Sequence, residues 1–371
     1  MTPVRVLRET FSTEESSDWA PHGAGGVWRR RQVDAILRRH SIEPVNLEPP
    51  PSLPFPQRMA RAARLKARFG ADVPSQRRAL GAAEYADRLY THNARREGLA
   101  SAIVLESGCE PVAVAALKAQ GFTIAVALSA INSLWLGRPN PVTGSYPNAF
   151  RAELRALKTA DHVFSISREE QLLLNNFGVG ARYLPYFPDE ARATALLAER
   201  AGRAPQPREY LICATRGNTD TVDSFREQVA WIEAAAPQGA VFHVTGHQTE
   251  PLREVWCGPR FQFHGTCPDD LFAQIKARCA AVCIHQRAGL GALTRVPDML
   301  LAGLAVVANG AAARSFIGTA GVLVYDTPAQ MGALLAGDIA TPPPPERPLE
   351  LEDALAACML APAGCGAGHG G

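Results

Sequence analysis

The chain has 371 residues, of which 47% are hydrophobic and 20% are charged, and its formal net charge is +2. A chain of this composition folds rather than staying disordered throughout, and its length allows two domains with separate cores. Because the net charge is small, no overall basic field attracts nucleic acid, which is therefore not an expected partner.

The sequence carries no signal for membrane insertion, secretion or metal binding. No run of about 18 apolar residues occurs, and the N-terminus has no basic segment followed by an apolar one, so neither a spanning helix nor a secretory signal is expected. The eight cysteines form no CxxC pair, and the spacing of the four between residues 257 and 283 matches no common zinc site. We predict a cytoplasmic protein without a bound metal or other cofactor.

The first half of the chain alternates short apolar runs with helical patterns. This alternation is typical of an α/β domain that is layered around a mainly parallel sheet. The predicted strands cover 4–7, 44–47, 102–105, 123–128 and 162–166, and the predicted helices cover 27–39, 56–69, 76–96, 112–120 and 148–159.

A second α/β block follows an interruption of the pattern. Pro185, Pro188 and the polar segment 202–207 break the alternation and place a domain boundary between residues 188 and 207. The predicted organisation is an N-terminal domain over 1–188, a linker over 189–207, a C-terminal domain over 208–340 and a Pro/Gly-rich segment over 341–371 with one helix and a disordered tail.

The elements of the second block follow the same pattern as those of the first. Because α/β sheets bind ligands at the carboxyl ends of their strands, two such domains predict a ligand cleft between them. The predicted strands are 210–214, 240–244, 261–263, 281–284, 304–308 and 322–325, and the predicted helices are 224–235, 269–278, 328–336 and 349–360, with a short helix between the fourth and fifth strands.

The most informative segment runs from His285 to Ala308. It is predicted to contain a strand end, a glycine loop, a short helix, a glycine stop and a second buried strand. Gly289 and Gly291 have no Cβ, so backbone N–H groups can approach a ligand there, and the following helix directs its positive end to the same point. The segment therefore predicts a site for a phosphate or a diphosphate.

Several motifs along the chain occur in the order of a known family. The segment 289–307 resembles the pattern G-x-G…K…E-A-L-A-x-G-L-P-V-V, and the segment 153–170 resembles a passage that ends in S-x-x-E. Shorter stretches at 183–185, 244–246 and 263–265 agree as well. Together they resemble the large retaining glycosyltransferase family with the GT-B fold, in which two Rossmann-like domains face each other across a cleft.

The resemblance implies a donor site for a nucleotide-diphosphate sugar in the C-terminal domain. Gly289, Gly291 and Ala292 would hold the diphosphate through their backbone. Arg295 occupies the family's basic position, and Asp298 occupies the position of a carboxylate that accepts hydrogen bonds from the ribose. Arg295 and Asp298 are three residues apart on a helix, so a simple ion pair between them remains open.

Other positions extend the implied donor site. Arg216 matches a basic residue that pairs with the phosphates, and its planar guanidinium can donate two parallel hydrogen bonds to a phosphate. The turn at Gly265 and Thr266 would lie near the base. Gly25 and Gly26 match a glycine loop of the first domain, or they form a tight turn without a ligand.

The chain also departs from the family pattern. Ala288 stands where the family has an acidic residue, Leu293 stands where a lysine is expected, and segment 129–132 lacks the family's cleft histidine. These differences favour either another way of holding the donor or reduced activity.

The chemistry implied by the resemblance depends on backbone N–H groups and arginines that stabilise the departing diphosphate. A retaining enzyme needs no dedicated base, whereas an inverting enzyme does, and Glu106 at the end of the third strand is the candidate base. A glutamate at a strand end is, however, more often a solvated or capping group.

The sequence thus predicts a metal-independent glycosyltransferase, which would use a nucleotide sugar as co-substrate and a saccharide, lipid-linked or protein acceptor. A catalytically lapsed nucleotide-sugar or glycan-binding partner protein and a nucleotide-sugar 2-epimerase remain as alternatives. A stripe of Arg61, Arg64 and Arg68 is typical of a solvated helix face or of peripheral contact with the inner face of a membrane.

Overall fold

The computed structural model describes residues 4–8, 25–70, 77–96, 98–104, 111–131, 149–214, 219–246, 249, 252–253, 258–287 and 289–360. Two parallel six-stranded sheets, each packed between helices, form an N-terminal and a C-terminal lobe. This architecture confirms the predicted fold class of two Rossmann-like domains and the C-terminal helix. The predicted disordered tail, 361–371, lies outside the described residues.

The N-terminal lobe has the strand order β2-β1-β3-β4-β5-β6. Its central strand β4 is a near-continuous apolar run in which every residue after Thr123 is buried, because helices cover both faces of the sheet there. The strands are β1 Val4–Arg8, β2 Ile42–Asn46, β3 Leu99–Val104, β4 Thr123–Leu128, β5 His162–Ser165 and β6 Ala181–Tyr183, and the helices are α1 Gly25–Arg39, α2 Phe55–Phe69, α3 Arg77–Asn93, α4 Pro111–Lys118, α5 Ala149–Thr159 and α6 Arg168–Asn176.

The C-terminal lobe has the strand order β12-β11-β10-β7-β8-β9. Its central strands β10 and β11 are again buried on both faces. The strands are β7 Glu209–Cys213, β8 Val241–Thr245, β9 Phe261–Gly265, β10 Ala281–Ile284, β11 Ala305–Asn309 and β12 Val322–Tyr325, and the helices are α7 Glu190–Ala201, α8 Thr219–Ala235, α9 Asp269–Arg278, α10 Arg295–Leu301, α11 Gly310–Ala313, α12 Pro328–Ala336 and α13 Leu349–Leu360.

Much of the segment predicted as a linker is helix α7. Asp189 caps this helix, because its side chain accepts a hydrogen bond from the backbone N–H of Arg192. Ala193 and Leu196 pack into the core of the C-terminal lobe. Only 202–207 is an exposed connection, so the chain enters the second lobe through a packed helix.

The C-terminal helix α13 returns to the N-terminal lobe. Leu355 and Met359 lie in the same buried cluster as Ile36 of α1. Arg39 binds the fully buried carboxylate of Glu352 at 2.6 Å. The chain therefore crosses between the lobes twice, and the N-terminal core includes residues from both ends of the described sequence.

The carboxyl ends of the two sheets meet at the contact between the lobes. Ser129, which follows β4, approaches Gly291, which follows β10. Several connections at these strand ends, including 9–24, 105–110, 132–148 and 215–218, lie outside the described residues. In the part of the chain that is described, no helix has both the length and the apolar character to cross a membrane.

Candidate functional site

The glycine loop leads from β10 to α10 and packs against the N-terminal lobe. Gly291 has a φ of 64°, in the left-handed region that favours glycine. A Cβ at this position would lie 2.1 Å from the carbonyl oxygen of Ser129. Both the backbone conformation and the close approach of the other lobe therefore require glycine here.

A carboxylate of the N-terminal lobe binds this loop. The backbone N–H of Gly291 donates to Oε1 of Glu170 at 2.5 Å, and the N–H of Ile131 donates to Oε2 at 3.2 Å. Glu170 is 6% exposed. Burial raises the pKa of its carboxyl to about 7, against the opposing effects of the two N–H groups and Arg314. The Glu170 carboxylate thus bridges the loop after β4 and the glycine loop.

Arg314 holds the glycine loop from within the C-terminal lobe. Its guanidinium donates to the carbonyl oxygens of Leu290 at 2.7 Å, Gly291 at 2.9 Å and Ala311 at 2.7 Å. A Cβ on Gly289 would lie 2.6 Å from Nη1 of Arg314. The first glycine of the motif therefore makes room for this arginine.

A second polar contact joins the lobes beside the loop. Ser315, which follows Arg314, receives a hydrogen bond from the backbone N–H of Arg168 at 3.2 Å, and its hydroxyl contacts Ser167 at 3.2 Å and the carboxylate of Glu169. The first turn of α6 is thus fastened to the C-terminal lobe at two neighbouring points.

Asp298, the predicted ribose-binding carboxylate, is 3% exposed and already has partners. Arg192 donates to its Oδ2 at 2.9 Å and 2.6 Å, and the hydroxyl of Tyr186 donates to Oδ1 at 3.4 Å. Burial raises the pKa of Asp298, and Arg192 opposes that shift. Its ion-pair partner is Arg192 of α7 and not Arg295.

Arg295 and Ala292, two other predicted donor residues, also have partners within the protein. Arg295 donates to the carbonyl oxygen of Cys213 at the end of β7, at 2.8 Å, and burial lowers the pKa of its guanidinium. Ala292 packs against a small cluster that includes Trp28 of α1. The guanidinium of Arg192 stacks 4.0 Å above the Trp28 ring.

The predicted base-binding turn lies at the far edge of the second sheet. Gly265 ends β9 with a φ of 65°, its carbonyl oxygen accepts from the N–H of Gly246 at 2.8 Å, and Thr266 is exposed. Because β9 is three strands from β10 in the sheet order, the turn and the glycine loop are separated by roughly 14 Å.

The remaining predicted site residues are only partly covered by the structure. Glu106 and Arg216 lie outside the described residues. Gly25 and Gly26 are the first two residues of α1, and the loop before them is not described. Their proposed roles stay predictions.

The described histidines near the second sheet are occupied by internal hydrogen bonds. His243 contacts Glu209 at 3.1 Å and His264 at 3.0 Å, and His285 contacts the hydroxyl of Tyr325 at 3.0 Å. Burial lowers the pKa of both His264 and His285. These rings are packed as structural residues.

An open cavity of about 510 Å³ lies beside the crossover between the lobes. Its lining includes the polar residues Arg168 and Ser315 and the aromatic residues Tyr183, Tyr186 and Phe187.

No protein-family model matches the sequence, and no curated protein matches it significantly. Solved structures do match the fold. HepE from Anabaena, in complex with UDP and glucose, has a TM-score of 0.54 at 12% identity over 95% of this chain and 98% of its own. Sucrose-phosphate synthase from Thermosynechococcus elongatus has a TM-score of 0.56 at 13% identity over 96% of each chain.

A nucleotide-sugar epimerase has the same architecture. UDP-GlcNAc 2-epimerase from Methanocaldococcus jannaschii has a TM-score of 0.53 at 9% identity over 96% of this chain and 99% of its own. At such low identities the comparisons establish the fold alone. The chain has the GT-B fold, as the resemblance in its sequence predicted.

Sequence reasoning did not identify Glu170 as a site residue. The segment Ser167–Glu170 predicts a capping box, in which a serine and a glutamate three residues later begin a helix. The Ser167 hydroxyl does accept from the Glu170 N–H at 3.3 Å, but the Glu170 carboxylate turns to the other lobe. No local signal in the sequence reveals that direction.

Proposed function

We propose that the protein is a metal-independent glycosyltransferase, which binds a nucleotide-diphosphate sugar on its C-terminal lobe and transfers the sugar to an acceptor on its N-terminal lobe. The observation that carries this proposal is the glycine loop at the carboxyl end of β10. Its Gly291 N–H already binds an anionic oxygen at the contact between the lobes. A backbone donor of this kind suits a phosphate oxygen equally well.

The geometry of the loop also supports a preorganised donor site. Arg314 fixes the loop by binding two consecutive carbonyl oxygens, Leu290 and Gly291, so the following N–H groups have a defined direction. Preorganised donors stabilise the charge that grows on a departing diphosphate. HepE, which has the same fold, was solved with UDP and glucose, and this favours a uridine nucleotide as the first donor to test.

The proposal is tested by thermal shift with UDP, GDP, dTDP and ADP sugars, followed by donor hydrolysis without acceptor. A ligand that binds only the native state raises the melting temperature according to its affinity. We expect one nucleotide class to raise it and to be hydrolysed slowly. If no nucleotide sugar shifts the melting temperature, the protein is not a nucleotide-sugar enzyme.

Arg295 provides a sharper test of the donor site. We expect Arg295→Ala to weaken the binding of UDP more than the binding of uridine, because an arginine that faces the diphosphate contributes charge-assisted hydrogen bonds. Affinities of both ligands are measured by calorimetry. Equal losses for UDP and uridine would assign Arg295 a purely structural role through its bond to Cys213.

A lapsed nucleotide-sugar-binding protein is the second candidate, and the state of Asp298 favours it. The carboxylate that the family offers to the ribose is here bound by Arg192 and Tyr186. Donor binding without any turnover, with or without acceptor extracts, would support this candidate. A 2-epimerase would require several acids and histidines in the cleft of the first domain, and the sequence of that domain offers few.

The N-terminal lobe is proposed to contact an anionic membrane that carries the acceptor. Helix α2 has five basic and no acidic residues, and its Phe55 and Met59 are exposed by 59% and 44%. Arg61 is paired with Asp87, so Arg64 is the better candidate of the arginine stripe. The combination of exposed apolar and basic side chains suits an anionic lipid surface.

Cosedimentation with vesicles that contain anionic lipid tests this contact. We expect Arg64→Glu to weaken binding roughly thirtyfold, because each charge near an anionic surface contributes about 1 kcal/mol and the reversal changes the charge by two. The matched control is Arg151→Glu, an exposed arginine on α5. Equal binding by both variants would show that α2 does not face the membrane.

A further inference from the structure

Glu170 lies where an anionic ligand of the glycine loop would lie. Its two carboxylate oxygens accept from the Gly291 N–H of one lobe and the Ile131 N–H of the other, at 2.5 Å and 3.2 Å. Each lobe therefore contributes one backbone donor to a single anion. The two N–H groups therefore form an anion-binding site, and the Glu170 carboxylate of the same chain occupies it.

The charged groups around Glu170 do not lock the carboxylate in place. Arg314 of the C-terminal lobe favours the charged form, but its guanidinium is bound to the carbonyl oxygens of the loop. Glu153 of α5 opposes the charge of Glu170, and Glu169 is the next residue on α6. Within the described residues no lysine or arginine forms an ion pair with Glu170, since its hydrogen bonds come from backbone N–H groups.

A carboxylate and a phosphate oxygen cannot share the Gly291 N–H. The amide has one hydrogen to donate, and two anions in a buried site repel each other strongly. A diphosphate that uses the glycine loop must therefore move the Glu170 side chain or meet it in the neutral form.

We propose that Glu170 is a proton-controlled latch, which occupies the anion position of the glycine loop in the free protein and which an incoming diphosphate must displace. This inference rests on the proposed function, because it takes the glycine loop as the diphosphate site. It adds a residue that controls access to that site and couples donor binding to the uptake of a proton.

The latch operates near neutral pH. Burial raises the pKa of the Glu170 carboxyl to about 7, so both the charged and the neutral forms are populated there. If only molecules with a neutral Glu170 bind the diphosphate, the apparent affinity falls in proportion to their fraction. From pH 6 to pH 8 this fraction drops about tenfold, and the affinity drops with it.

The first measurement is the affinity for inorganic pyrophosphate at pH 6 and pH 8. We expect Glu170→Gln to bind about as tightly as the wild type at pH 6 and about tenfold more tightly at pH 8. Glu169→Gln is the matched control. It removes the same charge from the neighbouring residue, whose side chain contacts Ser315 rather than Gly291. It should follow the wild type at both values. The ratio to wild type cancels the titration of pyrophosphate itself.

The second measurement is hydrogen exchange at the Gly291 amide of the wild type without ligand, and it needs no variant. After correction for the intrinsic rate, protection of this amide should be lower at pH 6 than at pH 8, because the neutral carboxyl is a weaker acceptor. Protection that does not change with pH would overturn the latch.

The outcomes separate the latch from the proposed function. If pyrophosphate binds the wild type and Glu170→Gln alike at pH 8, the latch is wrong and the donor site stands. If pyrophosphate binds neither protein while Gly291 protection depends on pH, Glu170 still holds the glycine loop in a proton-controlled way, and the glycosyltransferase proposal loses its donor site.

Discussion

Two buried carboxylates lie near the contact between the lobes, and they are held in opposite ways. Asp298 on α10 binds the guanidinium of Arg192 at 2.6 Å, so its charge has a permanent partner. Glu170 on α6 is bound by backbone N–H groups, and burial brings its pKa to about 7. An arginine partner makes a buried carboxylate structural, whereas backbone donors leave it able to change its charge.

The largest expected effect is that of Asp298→Ala. Removing this carboxylate leaves the guanidinium of Arg192, which is one third exposed, without its partner, so the cost is about 3 kcal/mol of the free energy of unfolding, at the low end for a broken buried pair. Urea unfolding measures the loss. The control is Asp223→Ala, which breaks an exposed pair with Arg226 and should cost about 1 kcal/mol or less. Similar losses in the two variants would mean that the Asp298–Arg192 pair stabilises the fold no more than an exposed ion pair does.

Glu170→Gln is expected to change how stability depends on pH. A carboxyl whose pKa is raised in the folded state stabilises the fold at low pH, and that contribution is lost as the pH rises from about 4.5 to about 7. The variant has no such loss, so its stability relative to wild type should rise between pH 5 and pH 8 by as much as roughly 3 kcal/mol.

Unfolding at both pH values measures this rise, and Glu169→Gln serves again as the control. A constant difference between Glu170→Gln and wild type from pH 5 to pH 8 would contradict a neutral-pH titration of Glu170.

Gly291→Ala tests whether the two lobes depend on the close approach at the loop. An added Cβ meets the backbone oxygen of Ser129 and requires a left-handed alanine, which together cost about 2 kcal/mol. Thermal unfolding and small-angle scattering measure the loss and any opening of the lobes. Gly289→Ala meets side-chain atoms of Arg314 and Gln286, which can shift more easily than the backbone oxygen of Ser129, and it should cost less. A larger loss in Gly289→Ala would reverse this assignment.

The smallest expected effect is that of Tyr186→Phe. Its hydroxyl lies 3.4 Å from Asp298, a long hydrogen bond, so its removal should cost less than about 1 kcal/mol. Urea unfolding detects the change. A loss comparable to that of Asp298→Ala would mean that Tyr186, and not Arg192, holds the carboxylate.

The long, strongly patterned elements were predictable from the sequence. The apolar runs of β4 and β10 and the helical period of α9 are local features, and the predicted bounds agree with the observed ones. Strand β2 begins two residues earlier than predicted and contains Pro44, which a strand at the edge of a sheet tolerates. Strand β6 was missed because three residues carry no periodic signal.

The helix in the predicted linker was missed for a different reason. The prolines at 185 and 188 and Gly202 suggested a break, although Asp189 and the alanine-rich segment after it are good signals for a capped helix. The two prolines lie in a turn between two packed elements, β6 and α7, and not in an extended linker.

The partners of the two carboxylates could not be predicted at all. Glu170 and Gly291 are 121 residues apart, and Asp298 and Arg192 are 106 residues apart. The sequence identified the glycine loop and Asp298 as individual positions. The contact of Glu170 with Gly291 arises only when the two lobes meet, and the pair of Asp298 with Arg192 arises only when α7 packs against α10. The roles predicted for Arg216 and Glu106 remain predictions.

The return of α13 to the first lobe has a consequence for synthesis of the protein. The N-terminal core contains Leu355 and Met359, and the salt bridge of Arg39 needs Glu352. On the ribosome this core therefore stays incomplete after the whole second lobe has emerged, although N-terminal domains usually fold first. The N-terminal lobe reaches its final form only when α13 closes over α1.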